Sequence, residues 1–223
     1  MSNIKLAFGY DIEKPYGYFA ETKGGEKFRQ KQLKFIKKLS ELLNKENIPR
    51  TFFILGDYLK KCLNHFSKDE LKTIYYNDNL NEIQQHSYSH IIFKEIKNVE
   101  NRQIFAPSEF IEDIKKANLV IKDILNISPT GLRTPLGYSK DLSDNPIIVE
   151  NLSKLRFNYV SSSLRDNESI NGELTYERQP HTYQHIGYSK IVEIPSQSWQ
   201  DTIFTFDRAK KYLNMLCVLI PNL

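Results

Sequence analysis

Two histidines four residues apart form the sharpest chemical signal in the sequence. The segment HSYSH places His86 and His90 so that, in a helical turn, both imidazole rings face the same side. Neutral imidazoles so arranged suit a borderline metal ion such as zinc, and a carboxylate can complete the ligand set. The spacing alone is a weak pattern, because two unrelated polar residues at the end of a strand give the same letters.

Two acidic residues, Asp11 and Glu13, supply carboxylates in the segment YDIE. In an extended segment, residues two apart point to the same side, so both carboxylates can face one site. One of them can then bind a metal while the other takes a proton from an attacking water. Without the histidines, a pair of solvated loop acids would be a reasonable alternative.

The elements that must position these residues alternate along the chain. Short apolar runs predict strands, and segments with apolar residues at helical spacing predict helices. The alternation of the two predicts an α/β fold with a parallel sheet or a barrel. We expect strands over 3–10, 50–57, 80–86, 130–135, 157–163 and 190–195. We expect helices over 26–47, 107–127, 145–155 and 207–220, a mostly helical stretch over 59–76, and a long loop or insertion over 164–189.

The candidate residues fall where the predicted strands end. Asp11 and Glu13 follow the first strand, the His86–His90 segment follows the third, Arg133 lies in the fourth, and Ser161–Ser163 closes the fifth. Loops at the carboxyl ends of parallel strands surround one crevice. The sequence therefore predicts that these residues share one site.

Six segments of the sequence contain these residues and others near them: LAFGYDIE, RTFFILG, EIQQHSYSH, GLRTPLGYS, FNYVSSSL and IVEIPSQSWQD. In order and spacing, from about Ile4 to Asp201, these segments resemble the motifs of the polysaccharide deacetylase (NodB-homology, carbohydrate esterase 4-like) family. The acidic segment is most similar to the D-x-D/D-x-E variant of the branch with peptidoglycan deacetylases and allantoinase-like amidohydrolases. The resemblance implies a distorted (β/α) barrel.

The resemblance also implies roles for the reactive residues. Asp11 would be the general base, and Glu13, His86 and His90 would bind one divalent metal ion. Zinc is the first choice for this ion, with cobalt or another transition metal as alternatives. Arg133 would keep Asp11 ionised and oriented, although a plain surface role for Arg133 stays open.

Further residues acquire roles from the same resemblance. The backbone N–H near Leu136 would help to stabilise the tetrahedral oxyanion. Tyr88, Pro135 and Trp199 would contact the substrate, with a buried core position as the alternative for Trp199.

The sequence departs from the family pattern in three places. Glu13 replaces the usual aspartate, and Leu136 stands where many members carry an aromatic residue. The late histidine that acts as general acid is absent, because none follows Asp201, and His181 and His185 lie before the VEIP segment. The chain is truncated or the acid is missing or supplied otherwise. We favour truncation and expect a single domain over 1–223 that lacks its last strand or strands.

The resemblance implies a metal-dependent hydrolase that removes an N-acyl group, N-acetyl first of all, from a sugar or polysaccharide. An N-acylated carbohydrate would be its partner. A catalytically impaired member that binds carbohydrate or acts as a scaffold is the alternative, since the late histidine is absent. An unrelated α/β binding module would require the motif order to be accidental.

Composition limits the other function classes. The 223 residues are 40% hydrophobic, which is enough to form a buried core. The net charge is +4, and we interpret the basic residues as spread along the chain. This pattern does not indicate nucleic-acid binding. Two distant cysteines, no signal peptide and no apolar run of membrane-spanning length favour a cytoplasmic protein. A homo-oligomer stays open.

Overall fold

The computed structural model describes residues 7–15, 17–75, 80–95, 103–138, 141–163 and 179–196. Its strands are β1 (Gly9–Ile12), β2 (Arg50–Ile54), β3 (Asn81–Gln85), β4 (Gly131–Tyr138), β5 (Tyr159–Ser163), β6 (His181–Tyr183) and β7 (Tyr188–Glu193). Its α-helices are α1 (Lys23–Lys45), α2 (Gly56–Cys62), α3 (Lys68–Tyr75), α4 (Pro107–Leu125) and α5 (Pro146–Lys154). Short 3-10 helices cover Tyr18–Glu21 and Gln184–Ile186. None of the helices in these ranges is both long and apolar enough to cross a bilayer.

The strands form one mixed sheet in the order β1-β2-β3-β4-β5-β7-β6. All neighbouring pairs are parallel except β6 and β7, which are antiparallel. The predicted α/β class and the parallel sheet are confirmed. Within the described ranges the sheet is not closed into a barrel, and β1 and β6 are its two edges.

Local sequence explains where the helices begin and end. Thr22 caps α1 by accepting a hydrogen bond from the N–H of Gly25 at 3.1 Å. The Glu109 carboxylate accepts from the N–H of Ala106 at 2.8 Å, ahead of Pro107 at the start of α4. That helix ends at Asn126, whose φ of 60° is left-handed.

The stretch expected to be mostly helical, 59–76, contains two helices, because Ser67 and Glu70 form a reciprocal capping pair that starts α3 anew. One predicted element is wrong. The long loop expected over 164–189 contains β6 and the first residues of β7, which pair as a hairpin around Gly187 with a φ of 95°. The helix expected over 207–220 lies outside the described residues.

The core has two apolar clusters, and α4 contributes buried residues to both. The first packs α1, α2 and α3 against β2 and β3 around Leu33, Phe52 and Tyr58. The second packs α4 and α5 against β4, β5 and β7 around Phe110, Leu132 and Val160. This packing fixes the strands whose carboxyl ends carry the candidate site.

A buried carboxylate ties the end of β7 to β5. Glu193 is fully buried and accepts hydrogen bonds from the N–H groups of Ser162 and Ser163, at 2.8 and 2.9 Å. It also accepts from the hydroxyls of Ser162 and Tyr183, at 2.7 and 2.6 Å. Burial raises the pKa of Glu193, and these bonds oppose that rise by favouring the ionised form. The four donors fix the end of β5 against the hairpin.

We expect Glu193→Gln to destabilise the fold. The amide replaces an acceptor oxygen with a donor where four donors converge, so the free energy of unfolding should fall by about 2–4 kcal/mol. Urea denaturation would measure this. In the control Glu82→Gln, the residue is exposed and its carboxylate accepts from two hydroxyls and from the amide of Gln84, so the loss should stay below about 1 kcal/mol because water can replace these partners. Equal losses in the two variants would contradict this account of Glu193.

Candidate metal centre

Three predicted ligands come together at the carboxyl ends of β1 and β3. The Oε2 atom of Glu13 lies 2.7 Å from Nε2 of His90 and 3.2 Å from Nε2 of His86. One ligand atom from each of the three residues lies within 4.8 Å of the others. Both imidazoles are buried and Glu13 is partly buried. The donor set, two imidazoles and a carboxylate, suits a divalent metal ion.

The second ring nitrogen of His86 fixes how the ring is presented. Its Nδ1 lies 2.9 Å from the carbonyl oxygen of Arg133, which can only accept a hydrogen bond. Nδ1 therefore carries a proton, and Nε2 is the atom directed at Glu13. Metal-binding histidines commonly use this arrangement, in which a carbonyl holds the ring through the nitrogen that does not bind the metal.

The ionisable groups of the cluster shift one another's pKa values toward the charged forms. Burial disfavours the ionised form of Glu13, but the hydrogen bonds to His86 and His90 and their charges outweigh it and hold the pKa of Glu13 well below its usual range. Burial also disfavours a protonated His86, yet the charge of Asp11 and the contact with Glu13 raise the pKa of His86. The site thus concentrates negative charge beside two imidazoles, and a dication can take the place of the imidazole protons.

The loop that carries both histidines is irregular, so the predicted helical turn is wrong. Ser87 and His90 have φ angles of 65° and 62°, both left-handed. The N–H of His90 donates to the hydroxyl oxygen of Ser87 at 3.1 Å. The carbonyls of Ser87 and Tyr88 accept from the first N–H groups of α2, those of Gly56 and Asp57, each at 2.9 Å. The imidazoles converge because of this folded loop, not because of helical spacing.

Asp11 and Arg133 form an ion pair beside the ligands. The Arg133 Nη1 atom lies 3.0 Å from Oδ1 of Asp11 and also donates to the carbonyl oxygen of Gly9 at 3.3 Å. The guanidinium stacks over the ring of Phe53, with 4.2 Å from its carbon to the ring centroid. A methyl group on Gly9 would lie 2.6 Å from Arg133 Nη2, so the absence of a side chain there makes room for the guanidinium.

Comparison with known proteins decides the family. A model of the family described as polysaccharide deacetylase matches residues 30–159, more than half of the chain. The chain belongs to the polysaccharide deacetylase family. A comparison with curated protein sequences gives no match.

One of the similar solved structures shows the same fold with a TM-score above 0.5. A Mycobacterium smegmatis protein whose name places it among the polysaccharide deacetylases is 19% identical with a TM-score of 0.57, over 86% of this chain and 58% of that one. This chain therefore spans less than two thirds of that protein. A polysaccharide deacetylase from Bacillus cereus is 17% identical with a TM-score of 0.47, over 96% and 89% of the two chains. A carbohydrate esterase family 4 pseudoenzyme from Bacillus anthracis is 15% identical with a TM-score of 0.48, over 94% and 60%.

Two further predicted site residues, Pro135 and Leu136, lie in strand β4 of this family member. Pro135 is buried and Leu136 is partly buried in β4, where the register with β5 shifts between Arg133 and Tyr138. Leu136 has a left-handed φ of 66°, a conformation that is uncommon for leucine. Their contacts with substrate or oxyanion stay predictions.

The aromatic residues do not join the ligand cluster in the described part of the chain. The Tyr88 ring lies under Nζ of Lys116 at 3.8 Å and fills the space beside Gly56, so it packs toward α2 and α4. This packing accounts for the ring's position, and a substrate contact for Tyr88 stays a prediction. Trp199 lies outside the described residues.

Asp113 is a site residue that the sequence reading missed. Its carboxylate, on α4, accepts hydrogen bonds from the N–H of Tyr88 at 2.6 Å and of Ser89 at 3.1 Å, and from the Ser89 hydroxyl. In the sequence, Asp113 reads only as one of the acids that mark the start of a helix. Because it binds the middle of the histidine loop, Asp113 positions His86 and His90 without touching either ring.

We expect Asp113→Ala to weaken metal binding. The loop would lose three hydrogen bonds to one carboxylate, and loss of such a supporting group typically costs about 10–100-fold in metal affinity. Competition with a chromogenic chelator would measure the change. Asp123→Ala is the matched control on the same helix, because Asp123 contacts only the exposed Lys68 among the described residues. Unchanged affinity in Asp113→Ala would show that the loop holds its shape without that carboxylate.

Proposed function

We propose that this protein is a metal-dependent hydrolase that removes an N-acyl group, in the first place N-acetyl, from a sugar or polysaccharide. Carbohydrate deacetylation is the activity for which its family is named. The observation that carries the proposal is the Glu13–His86–His90 cluster lying beside the Asp11–Arg133 ion pair. Ligands for an ion and a carboxylate free to act as a base are thus adjacent, as amide hydrolysis requires.

Glu13, His86 and His90 would hold the metal ion. Two imidazoles and one carboxylate favour zinc, with cobalt or another transition metal as alternatives. The ion would supply Lewis acidity toward an amide carbonyl and toward water. The Arg133 carbonyl keeps the His86 ring in the orientation that binding needs.

Asp11 is proposed as the general base. Its carboxylate is about one-third exposed, at 36% for the side chain, so it can reach a water molecule at the strand ends. Arg133 holds one oxygen of Asp11 at 3.0 Å and leaves the other to accept a proton. The backbone N–H near Leu136, on the bulge that follows Arg133, is proposed to face the developing oxyanion.

Several features of the proposal rest on the sequence alone. The D-x-D/D-x-E branch, a cytoplasmic location and an N-acylated carbohydrate as partner belong to it in this form, and a homo-oligomer stays open. The alternative of an impaired, carbohydrate-binding family member has less support, because the ligand cluster and the Asp11–Arg133 pair are both intact.

Metal content and hydrolytic activity should change independently of each other in two defined variants. We expect wild-type protein to bind about one divalent ion per chain and His86→Ala/His90→Ala to bind none. Asp11→Asn should keep the ion and lose about 10²–10⁴-fold in the release of acetate from N-acetylglucosamine oligomers, because only the base is removed. Elemental analysis and an acetate assay give the two readouts.

His65→Ala is the control for this experiment. His65 lies away from the cluster and pairs with Glu26 at 3.3 Å, so both metal content and hydrolysis should match wild type. A wild-type protein that takes up no ion after reloading would overturn the proposal. So would an Asp11→Asn variant as active as an active wild type.

Gly9→Ala tests the positioning of Asp11 by Arg133. The new methyl group would lie 2.6 Å from Nη2 of Arg133 and 2.9 Å from the Phe53 ring, so the guanidinium must move. We expect kcat/KM to fall by about tenfold or more, because the base is no longer oriented, while metal content is unchanged. Gly24→Ala, at an exposed position in the first turn of α1, should leave both unchanged. Full activity in Gly9→Ala would mean that the ion pair does not matter for turnover.

A further inference from the structure

One side of α1 carries a regular row of exposed apolar side chains. Phe28, Phe35 and Leu42 are 45%, 62% and 58% exposed. They are seven residues apart, almost two helical turns, so they lie along one line of the helix. Tyr18 and Phe19, on the 3-10 helix just before α1, are 88% and 51% exposed. We call these five residues the α1 apolar row.

Lysines accompany the row at the same period. Lys31, Lys38 and Lys45 are exposed, and each follows an apolar residue of α1 by three positions. The helix contains seven lysines and one arginine against two glutamates, a net charge of +6. The whole chain carries +4, so the rest of the chain is net negative. Helix α1 is thus more positively charged than the chain as a whole, although 23 of the 31 Lys and Arg residues lie outside it.

The other sides of α1 are already occupied. Leu33, Ile36 and Leu43 are buried on the side that faces the sheet. Glu26 pairs with His65, which follows α2, so a second side faces the neighbouring helices. The one arginine of α1, Arg29, is buried and donates to the carbonyl of Ala20 at 2.7 Å. The net positive charge that can meet a partner is thus lysine charge on the exposed side.

An anionic lipid surface matches this combination of groups. Helices that lie in the bilayer interface combine phenylalanine and leucine on one face with lysine beside them. The rings and the leucine enter the boundary between headgroups and acyl chains, and lysine ammonium groups pair with anionic headgroups. A second copy of the chain on the same row would bring two lysine-rich helices together, which like charges oppose.

We propose that α1 and the preceding 3-10 helix dock this protein on an anionic membrane surface through the α1 apolar row. The attachment is peripheral and needs no membrane-spanning helix. Because α1 follows the carboxyl end of β1, Tyr18 and Phe19 lie toward the same edge of the sheet as Glu13.

Vesicle sedimentation with the full chain tests the proposal. We expect wild-type protein to bind vesicles of phosphatidylcholine with one quarter phosphatidylglycerol, and not vesicles of phosphatidylcholine alone. Added salt should weaken the binding, since it screens the lysines. Phe28→Ser/Phe35→Ser/Leu42→Ser and Lys31→Glu/Lys38→Glu/Lys45→Glu should each lower binding by about tenfold or more.

The control variant is Leu119→Ser/Ile147→Ser, which removes exposed apolar side chains, 71% and 55% exposed, from two other helices. It should bind as wild type does. Thermal melting and light scattering of every variant complete the test. Absence of wild-type binding to the anionic vesicles overturns the proposal, as does binding at the wild-type level by both the serine and the glutamate variants.

Two further outcomes would overturn the membrane-docking proposal, because they would show that something other than a membrane covers the α1 apolar row. If wild-type protein is a dimer that the serine variant converts to a monomer, the row binds a second copy. If the serine variant melts far below the Leu119→Ser/Ile147→Ser control, the row is covered by another part of this chain. Neither outcome depends on hydrolysis, so the proposed function is judged separately.

Discussion

Arg133 joins the two halves of the site. Its backbone carbonyl accepts the hydrogen bond that orients His86, and its guanidinium holds Asp11. Strand β4 places the backbone, while the Phe53 ring and the space at Gly9 place the side chain. His86 and Asp11 are therefore both held in place by one residue, and a movement of β4 would disturb both together.

The sequence predicted the fold class and the convergence of the reactive residues because both depend on simple periodicity. Alternating strands and helices imply a parallel sheet, and parallel strands bring their carboxyl ends to one edge. Asp11, Glu13 and His86 lie at or just beyond such ends, and Arg133 lies within β4, ahead of the shift in its register with β5. Their proximity followed from this rule, and the family motifs added the roles that periodicity cannot supply.

The details that position the ligands could not be predicted, since they are tertiary. The left-handed residues Ser87 and His90 lie in a loop whose Ser87 and Tyr88 carbonyls accept hydrogen bonds from α2. Asp113 reaches this loop from a helix 24 or 25 residues further along the chain. The sequence of a helix does not show whether an aspartate on its surface faces solvent or binds a loop. The hairpin of β6 was missed because a three-residue polar strand has no apolar pattern to reveal it.

The long separation of the ligands in the sequence couples the metal to the fold. Glu13 and His86 are 73 residues apart, so an unfolded chain has no prepared site for an ion. Any ion that the cluster holds therefore favours the native state alone, by about 2.7 kcal/mol when its free concentration is a hundred times the dissociation constant. The resistance of this protein to unfolding and to proteolysis would then vary with the metal supply of the cell.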